Sequence, residues 1–568
     1  MSVILHQYIK SGDLDGVIVA LNAGADIEGR SRGQNYTPLM TAVSCSATGE
    51  DIVRLLIERG ANVNAGCAVH GANVLRLAVR FGDVEKTRLL LDHGADIGYT
   101  LKEGYTVLID VMHGRDITKD PDLVRLVTLL MERGADLNGE SSFGESALSV
   151  ASDNGRFDVV KVLLDAGANP APLRWTHLMH AVAFGSCEDI ETLIEAGADL
   201  HARDFWSRSP WLLSLQVGNV DKAKLLLAAG ADRNDRGRCD KVPLMYPVTN
   251  EHISMIEWLV SEGFEIDACD QFQQTALMLA AEMNSISCVK LLLELGADWN
   301  RIDNCDGQAI SLADDPEVIR VLVEAGADIN DINDDARAKI TGANNYGDLI
   351  TNAEAFSRGW RQRFGKDNPE RIYEEFWLAM IHGGVDAYEA KRQFPDVSTN
   401  GPVWCFRRFG QSINILPDGR IVQVAGEHED WYDPDFCIYN DVVVRETDGT
   451  MTIYGYPREI FPPRDFHTAT LVGEFIYIIG SLGYPDERQY GTTPVYKLNC
   501  NSFIIEQVTT SGSCPGWISR HKAVTKDNDI IVSGGMIGYV DDDGKDQYEG
   551  HKKSFALDLE TLEWRELK

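Results

Sequence analysis

Asp51-Ile52-Val53-Arg54-Leu55-Leu56-Ile57-Glu58-Arg59-Gly60-Ala61-Asn62 is the stretch whose reading sets the fold. Its first nine residues place apolar side chains at i, i+3 and i+4, the period of a helix with one buried face. Gly60 supplies the left-handed position that stops such a helix. The tripeptide, or a close variant, recurs at Gly24-Ala25-Asp26, Gly94-Ala95-Asp96, Gly134-Ala135-Asp136, Gly167-Ala168-Asn169, Gly197-Ala198-Asp199, Gly230-Ala231-Asp232, Gly263-Phe264-Glu265, Gly296-Ala297-Asp298 and Gly326-Ala327-Asp328. Spacings of 36, 34, 40, 33, 30, 33, 33, 33 and 30 residues separate the copies. A period near 33 predicts a stacked solenoid, in which each unit buries its apolar face only against its neighbours.

Downstream of each tripeptide a polar, hairpin-like stretch leads to a second helix start. The starts are Thr37-Pro38-Leu39, Thr106-Val107-Leu108, Ser146-Ala147-Leu148, Thr176-His177-Leu178, Ser209-Pro210-Trp211, Val242-Pro243-Leu244 and Thr275-Ala276-Leu277. A hydroxyl N-cap followed by proline at the first helical position is a strong helix-start signal. Each unit therefore reads as turn, helix, short connection, helix. The 40-residue interval holds an insertion around Arg115 to Pro121, expected as a longer loop between two helices.

With both landmarks in period, residues 1 to 330 resemble the ankyrin repeat family. The histidine usual after Thr-Pro-Leu is replaced by Met40, Arg76, Ile109, Ser149, Met179, Leu212, Met245 and Met278. The resemblance implies an α-helical solenoid, expected over 1–335, that binds protein partners along its side.

The bulk properties narrow the alternatives. A chain of 568 residues is expected to form several domains. No run of 18 apolar residues occurs, so no membrane span is expected. The opening residues lack a basic segment followed by a long apolar one, which together with 11 cysteines free of any Cys-x-x-Cys pair leads to the expectation of a cytoplasmic, reducing environment. A formal net charge of −34 repels phosphate backbones and argues against nucleic acid as a partner. Oligomeric state is not legible.

After Asp331-Ile332-Asn333-Asp334-Asp335 the rhythm stops, and a boundary is expected near 335 to 345. Residues 336–400 read as a helical buttress. One helix is expected to open at Asn368-Pro369-Glu370 and run through Ile372, Phe376 and Met380 to Gly383-Gly384; a second is expected from about Val385 to Phe394. From 401 to 568 the period changes to two. Three similar segments follow, whose second strands end at Gly426, Gly480 and Gly534, 54 residues apart both times. Arg464-Asp465-Phe466-His467-Thr468-Ala469, Ile476-Tyr477-Ile478-Ile479-Gly480, Ser533-Gly534-Gly535 and Trp564 resemble kelch repeats. That resemblance implies an antiparallel all-β, propeller-type domain. Three blades are too few for an ordinary closed ring. Either a further blade lies in 340–400, or the sheets form an open partial propeller, or two chains complete one ring.

Candidate contacts sit on the repeat tips, where Phe205 and Trp206 lie between Arg203 and Arg208, with Phe272 at the corresponding place two units later; aromatic rings beside arginine have the composition of binding hot spots. Trp211 replaces the core leucine of its repeat and is expected to be buried, and Trp175 is a weaker contact candidate. In the β-domain, Glu427, His428, Glu429, Asp433 and Asp435 are candidates for a ligand mouth, although their spacing matches no known metal loop. His467 and His521 recur once per segment, which points to a blade hydrogen-bonding device and not to a single active site. No phosphate loop, nucleophile elbow or kinase motif set is present, and no catalytic residue, cofactor or metal is expected. The sequence thus favours a non-enzymatic scaffold or adaptor. An enzyme or carbohydrate-type binder with a site in 401–568, and a β-domain that merely caps the solenoid, are its alternatives.

Overall fold

A computed structural model of the chain describes residues 2–31, 34–67, 71–114, 117–342, 349, 351–428, 436–541 and 543–567. The chain packs as two compact units, Met1–Asp306 and Gly307–Lys568.

In the first unit helices follow one another in antiparallel pairs: Ser2–Lys10 with Leu14–Asn22, Pro38–Val43 with Glu50–Glu58, Val74–Arg80 with Val84–Asp92, and Val107–Val111 with Leu123–Glu132. Ala147–Asp153 pairs with Phe157–Asp165, His177–Phe184 with Cys187–Glu195, Pro210–Val217 with Val220–Ala228, Met245–Val248 with Ile253–Ser261, and Ala276–Glu282 with Ile286–Glu294. Every part of the recurring tripeptide has a mechanical role. Its glycines take φ from +81° to +115°, and at Gly60 an added Cβ would meet nothing within 4 Å, so the backbone angle and not space requires glycine. The alanine N–H reaches the carbonyl five residues back, as from Ala61 to Leu56 at 3.0 Å and from Ala297 to Leu292 at 2.9 Å. This is the bond that closes a Schellman motif. The Asp or Asn accepts the N–H two residues on, at 3.0 Å for Asp26 to Glu28 and 2.9 Å for Asp298 to Asn300, forming the turn that launches each finger.

Most hydroxyl helix starts cap as expected, although the Thr106 hydroxyl accepts no cap bond. Thr37, Ser209 and Thr275 accept the N–H of Met40, Leu212 and Met278. Val242 has no such oxygen, and its helix begins later, at Met245, after the short turn Arg238–Asp240. The insertion falls between Val111 and Leu123 as a helix-to-helix connection, with Arg115 outside the described residues. Trp211 is fully buried and stacks on Phe264, the residue that stands in for alanine in the eighth tripeptide.

The second unit begins with the helices Ala309–Leu312 and Pro316–Glu324, the 3₁₀ turn Ile329–Asp331 and the helix Asp334–Thr341. Helices Ala353–Gly359, Glu375–Gly383 and Ala387–Gln393 follow. The expected helix start at 368 is overturned. Residues Glu370–Ile372 form a strand, and the helix begins only at Glu375. The side chain of Asn368 does not cap a helix. Its amide donates to the Ile505 carbonyl at 2.8 Å and accepts the Ile505 N–H at 3.0 Å, copying one rung of a strand pairing. The three helices pack on the sheet beside them: Trp377 stacks on Trp404 at 4.5 Å, Phe356 sits between Phe376 and Phe394, and all share a core with Tyr439, Val443 and Ile453 of that sheet.

Besides a small sheet of Trp517–Ser519, Met536–Val540 and Asp546–Gly550 and the pair Glu427–His428 with Cys437–Ile438, three larger sheets occupy the remainder of the described residues. In the first the strand order is Glu370–Ile372, Met451–Gly455, Val442–Arg445, Ile421–Val424, Ser412–Ile415. The second runs Ile505–Gln507, Val495–Asn499, Phe475–Ile479, Thr468–Val472. The third runs Ser511–Gly512, Glu563–Leu567, Ser554–Asp558, Asp529–Ser533, Lys522–Lys526, its outermost pair being parallel. Each repeats one four-stranded meander, as the 54-residue spacing requires.

The joints between sheets repeat too. Gly410, Phe466 and Arg520 precede the innermost strands with φ of +59°, +47° and +56°, and Phe466 N–H bonds to Gly410 O at 3.0 Å while Arg520 N–H bonds to Phe466 O at 2.8 Å. Innermost strands of successive sheets lie side by side, and the 3₁₀ turn Ile329–Asp331 packs on Ser412–Ile415 of the first. Asp331 also comes within 3.9 Å of Lys522 on the third.

Candidate interaction surface

The fingers between repeats are built before they are decorated. Each closes on itself through one backbone bond, such as Asp204 N–H to Arg208 O at 3.0 Å or Asp270 N–H to Gln274 O at 3.1 Å. Four of them also donate to the tip of the finger before: Ser142 to Glu103 at 2.8 Å, Phe205 to Leu173 at 3.1 Å, Gln271 to Cys239 at 3.1 Å and Asn304 to Phe272 at 2.9 Å. The result is a ladder of tips whose backbone is satisfied and whose side chains are free to project.

Arginine six residues past the glycine adds a staple. Arg30 donates to Gly66 O at 2.9 Å and Arg236 to Cys269 O at 3.0 Å, both carbonyls belonging to the same position of the next finger. Arg203 occupies that position too, holding Asp235 at 2.5 Å and the Ser207 carbonyl at 3.1 Å. Its charge is thus engaged within the solenoid. Arg208 is buried altogether: it pairs with Asp204 at 2.6 Å and donates to Ser152 and Gln216. Sequence proximity to two aromatic rings suggested a contact residue, but the side chain turns inward, because a short finger residue beside the helix start faces the preceding helix pair.

Phe205 and Trp206 are half-buried. Trp206 donates its indole N–H to the Ser149 carbonyl at 2.6 Å, and the two rings meet edge to face at 5.2 Å. Two exposed cations cover them, Arg174 at 5.4 Å from the Phe205 ring and Arg238 at 5.3 Å from the Trp206 ring. Phe272 stands clear at 49 % exposure. Phe143, which occupies the tip place of Trp206 in an earlier finger, is 68 % exposed and was not singled out from sequence; its position three residues before the Ser146 cap could have revealed it. Trp175 is half-buried against Phe157, His180 and Phe184. The aromatic surface therefore consists of Phe143 and Phe272 in the open and Phe205 and Trp206 beneath arginine.

Of the second candidate set, only Glu427 and His428 fall within the described residues. Glu427 and His428 form a two-residue strand paired with Cys437–Ile438, and both are buried. Glu429, Asp433 and Asp435 lie outside the described residues. Among the described residues no group of three or more His, Cys, Asp and Glu is placed to hold a metal ion. Burial pushes the thiols of Cys405 and Cys437 up to about 11 and about 12, away from nucleophile chemistry. His467 and His521 do join the sheets: the His467 ring meets the Ser412 hydroxyl at 2.9 Å and the His521 ring meets the Thr468 hydroxyl at 3.0 Å.

A family model described as ankyrin repeats, in three copies, matches residues 5–100, 118–204 and 211–303. Ankyrin repeat and SAM domain-containing protein 6 of Rattus norvegicus is 38 % identical over 114 residues, which are 19 % of this chain and 12 % of that protein. Ankyrin repeat and KH domain-containing protein mask-1 of Caenorhabditis elegans is 33 % identical over 211 residues, 32 % of this chain and 8 % of the relative. Cyclin-dependent kinase 4 inhibitor B of Homo sapiens is 38 % identical over 105 residues, 18 % of this chain and 75 % of the relative. The chain thus spans about a tenth of the length of the first two relatives. Among the described residues no helix is long and apolar enough to cross a membrane.

Proposed function

Because this chain belongs to the ankyrin repeat family, we propose that it is a non-enzymatic scaffold or adaptor whose repeats, over 1–335, bind a protein partner along the finger tips. The carrying observation is the pair of exposed rings, Phe143 and Phe272, on a ladder whose backbone and arginines are already satisfied. Large aromatic side chains left in water on a rigid frame favour a partner that desolvates them. One relative similar to part of this chain is named as an inhibitor of a cyclin-dependent kinase, that is, of another protein.

Residues 401–568 read as a kelch-like, three-bladed β-domain, with 336–400 as its helical brace. The supporting geometry is the thrice-repeated meander and its repeated joints. In this reading the turn Ile329–Asp331 flanks the blades where a further blade would stand, which answers how few blades protect an inner edge. With each module holding one partner, the chain raises their effective concentration without chemistry.

The test uses the full-length protein. A bound partner identified by affinity capture is titrated against wild type and against Phe143→Ser combined with Phe272→Ser, with far-UV dichroism as the fold control. At least a tenfold loss of affinity with an unchanged spectrum is expected. Equal affinity of wild type and the double variant would discard the finger surface.

A further inference from the structure

Four strongly buried arginines in the molecule each face an aspartate: Arg76 with Asp110, Arg156 with Asp158, Arg208 with Asp204, and Arg408 with Asp441. Arg464 is as buried, at 5 % exposure, and among the described residues no carboxylate lies within ion-pair distance of it. Its Nη2 donates to the Tyr496 hydroxyl at 3.0 Å, its Cζ lies 4.8 Å from that ring, and its Nε has no acceptor among the described residues. The neighbouring Asp465 turns away, accepting from the Ser481 hydroxyl at 3.0 Å and the Gly483 amide at 2.6 Å. A buried cation without its counter-charge is costly, and its partners are ordinarily built in.

This guanidinium lines a cavity of 480 Å³ in the second sheet, walled by Tyr496 and Trp517 and entered past Gln507 and Thr509. Arg458 also borders it but is engaged by Glu487. Arg464 is therefore the guanidinium at this cavity that no carboxylate of the described residues engages directly, Asp465, which is buried, and Glu487 acting on it only from beyond ion-pair distance. The volume suits a small molecule, one face of which would meet the Tyr496 and Trp517 rings and the rest the hydroxyls and amides of Ser481, Gln489, Thr492 and Thr510.

We infer that this cavity binds a monoanionic, carboxylate-bearing small molecule, its carboxylate on Arg464 and its body against Trp517 and Tyr496. Planar guanidinium and planar carboxylate match in shape. A dianionic phosphate fits less well, because its second charge would face Glu487 with no free cation to meet it. The backbone of Arg464 holds the group in place: its N–H bonds to Tyr439 O at 2.9 Å and its carbonyl accepts from Gly426 at 2.7 Å.

Benzoate, its neutral isostere benzamide and inorganic phosphate are the probes, titrated into the full-length protein and followed by saturation-transfer NMR for the organic probes and by displacement of benzoate for phosphate. Benzoate is expected to bind at least tenfold more tightly than benzamide or phosphate. Arg464→Met should abolish that preference, and Thr509→Trp, at an exposed place on the rim, should block entry without disturbing the core. If Arg464→Met fails to fold, Thr509→Trp and the benzamide comparison decide. Absence of benzoate binding, equal binding of benzamide, tighter binding of phosphate, or full binding to Thr509→Trp would each overturn the inference.

Discussion

His467 and His521 tie neighbouring sheets through a hydroxyl, and in both the ring is buried so that its pKa falls to about 3, chiefly by loss of solvation. A folded-state value below the unfolded value of about 6.5 means that the unfolded chain binds more protons between those limits. Stability is therefore complete above the unfolded pKa and is lost as pH falls from about 6.5 towards 3, by about 2 kcal/mol for each ring at pH 5. In the first sheet the same place holds Gln411. Replacing His467 and His521 by glutamine should flatten the decline in urea midpoint between pH 7.5 and 5; an unchanged slope would show that other groups carry it. Arg208 makes a second residue-scale case. Arg208→Ala leaves Asp204 buried without its cation, with an expected loss of about 3–5 kcal/mol in urea unfolding, against little for exposed Arg174→Ala.

Elements are joined by glycines that look alike in sequence and differ in what they avoid. Gly60 has open space around it and is needed for φ alone, so Gly60→Ala should cost about 1–2 kcal/mol. Gly480 combines φ of +78° with an approach in which an added Cβ would come 2.5 Å from the Ile518 carbonyl oxygen. Gly480→Ala must move one sheet against the next and should cost clearly more, read as the midpoint of denaturant unfolding for each variant; equal costs would contradict the packing at that joint. The helix start placed at Asn368 shows the converse. Asn-Pro-Glu carries every local mark of a capped helix, yet the asparagine amide finds a strand edge 137 residues away, at Ile505. Local signals rank local options, and a distant partner supplied a better one.

For the whole molecule, the repeat ladder makes the finger tips a single rigid row. Phe143 and Phe272 stand four repeats apart, beyond the range over which side chains couple directly. If one partner spans the row, the free-energy losses of Phe143→Ser and Phe272→Ser should sum in the double variant, as measured by titration calorimetry. A double variant no weaker than either single would confine the partner to one end.

Sequence alone determined the period, and with it the stacked helix pairs and the three similar β segments, because a turn that needs a left-handed glycine and a hydroxyl cap writes its requirements into neighbouring residues. It also marked Trp211 as core and the two histidines as joints. Which finger residues face water was decided only in three dimensions: Arg203 reaches Asp235 of the next finger and Arg208 turns inward to Asp204 and to Ser152 and Gln216 on the helices, while Phe143, unremarked in the chain, is left outside. The place of Arg464 was equally illegible, since the want of a directly bonded carboxylate is a property of everything around a side chain, and the chain brings those surroundings together from far along its length.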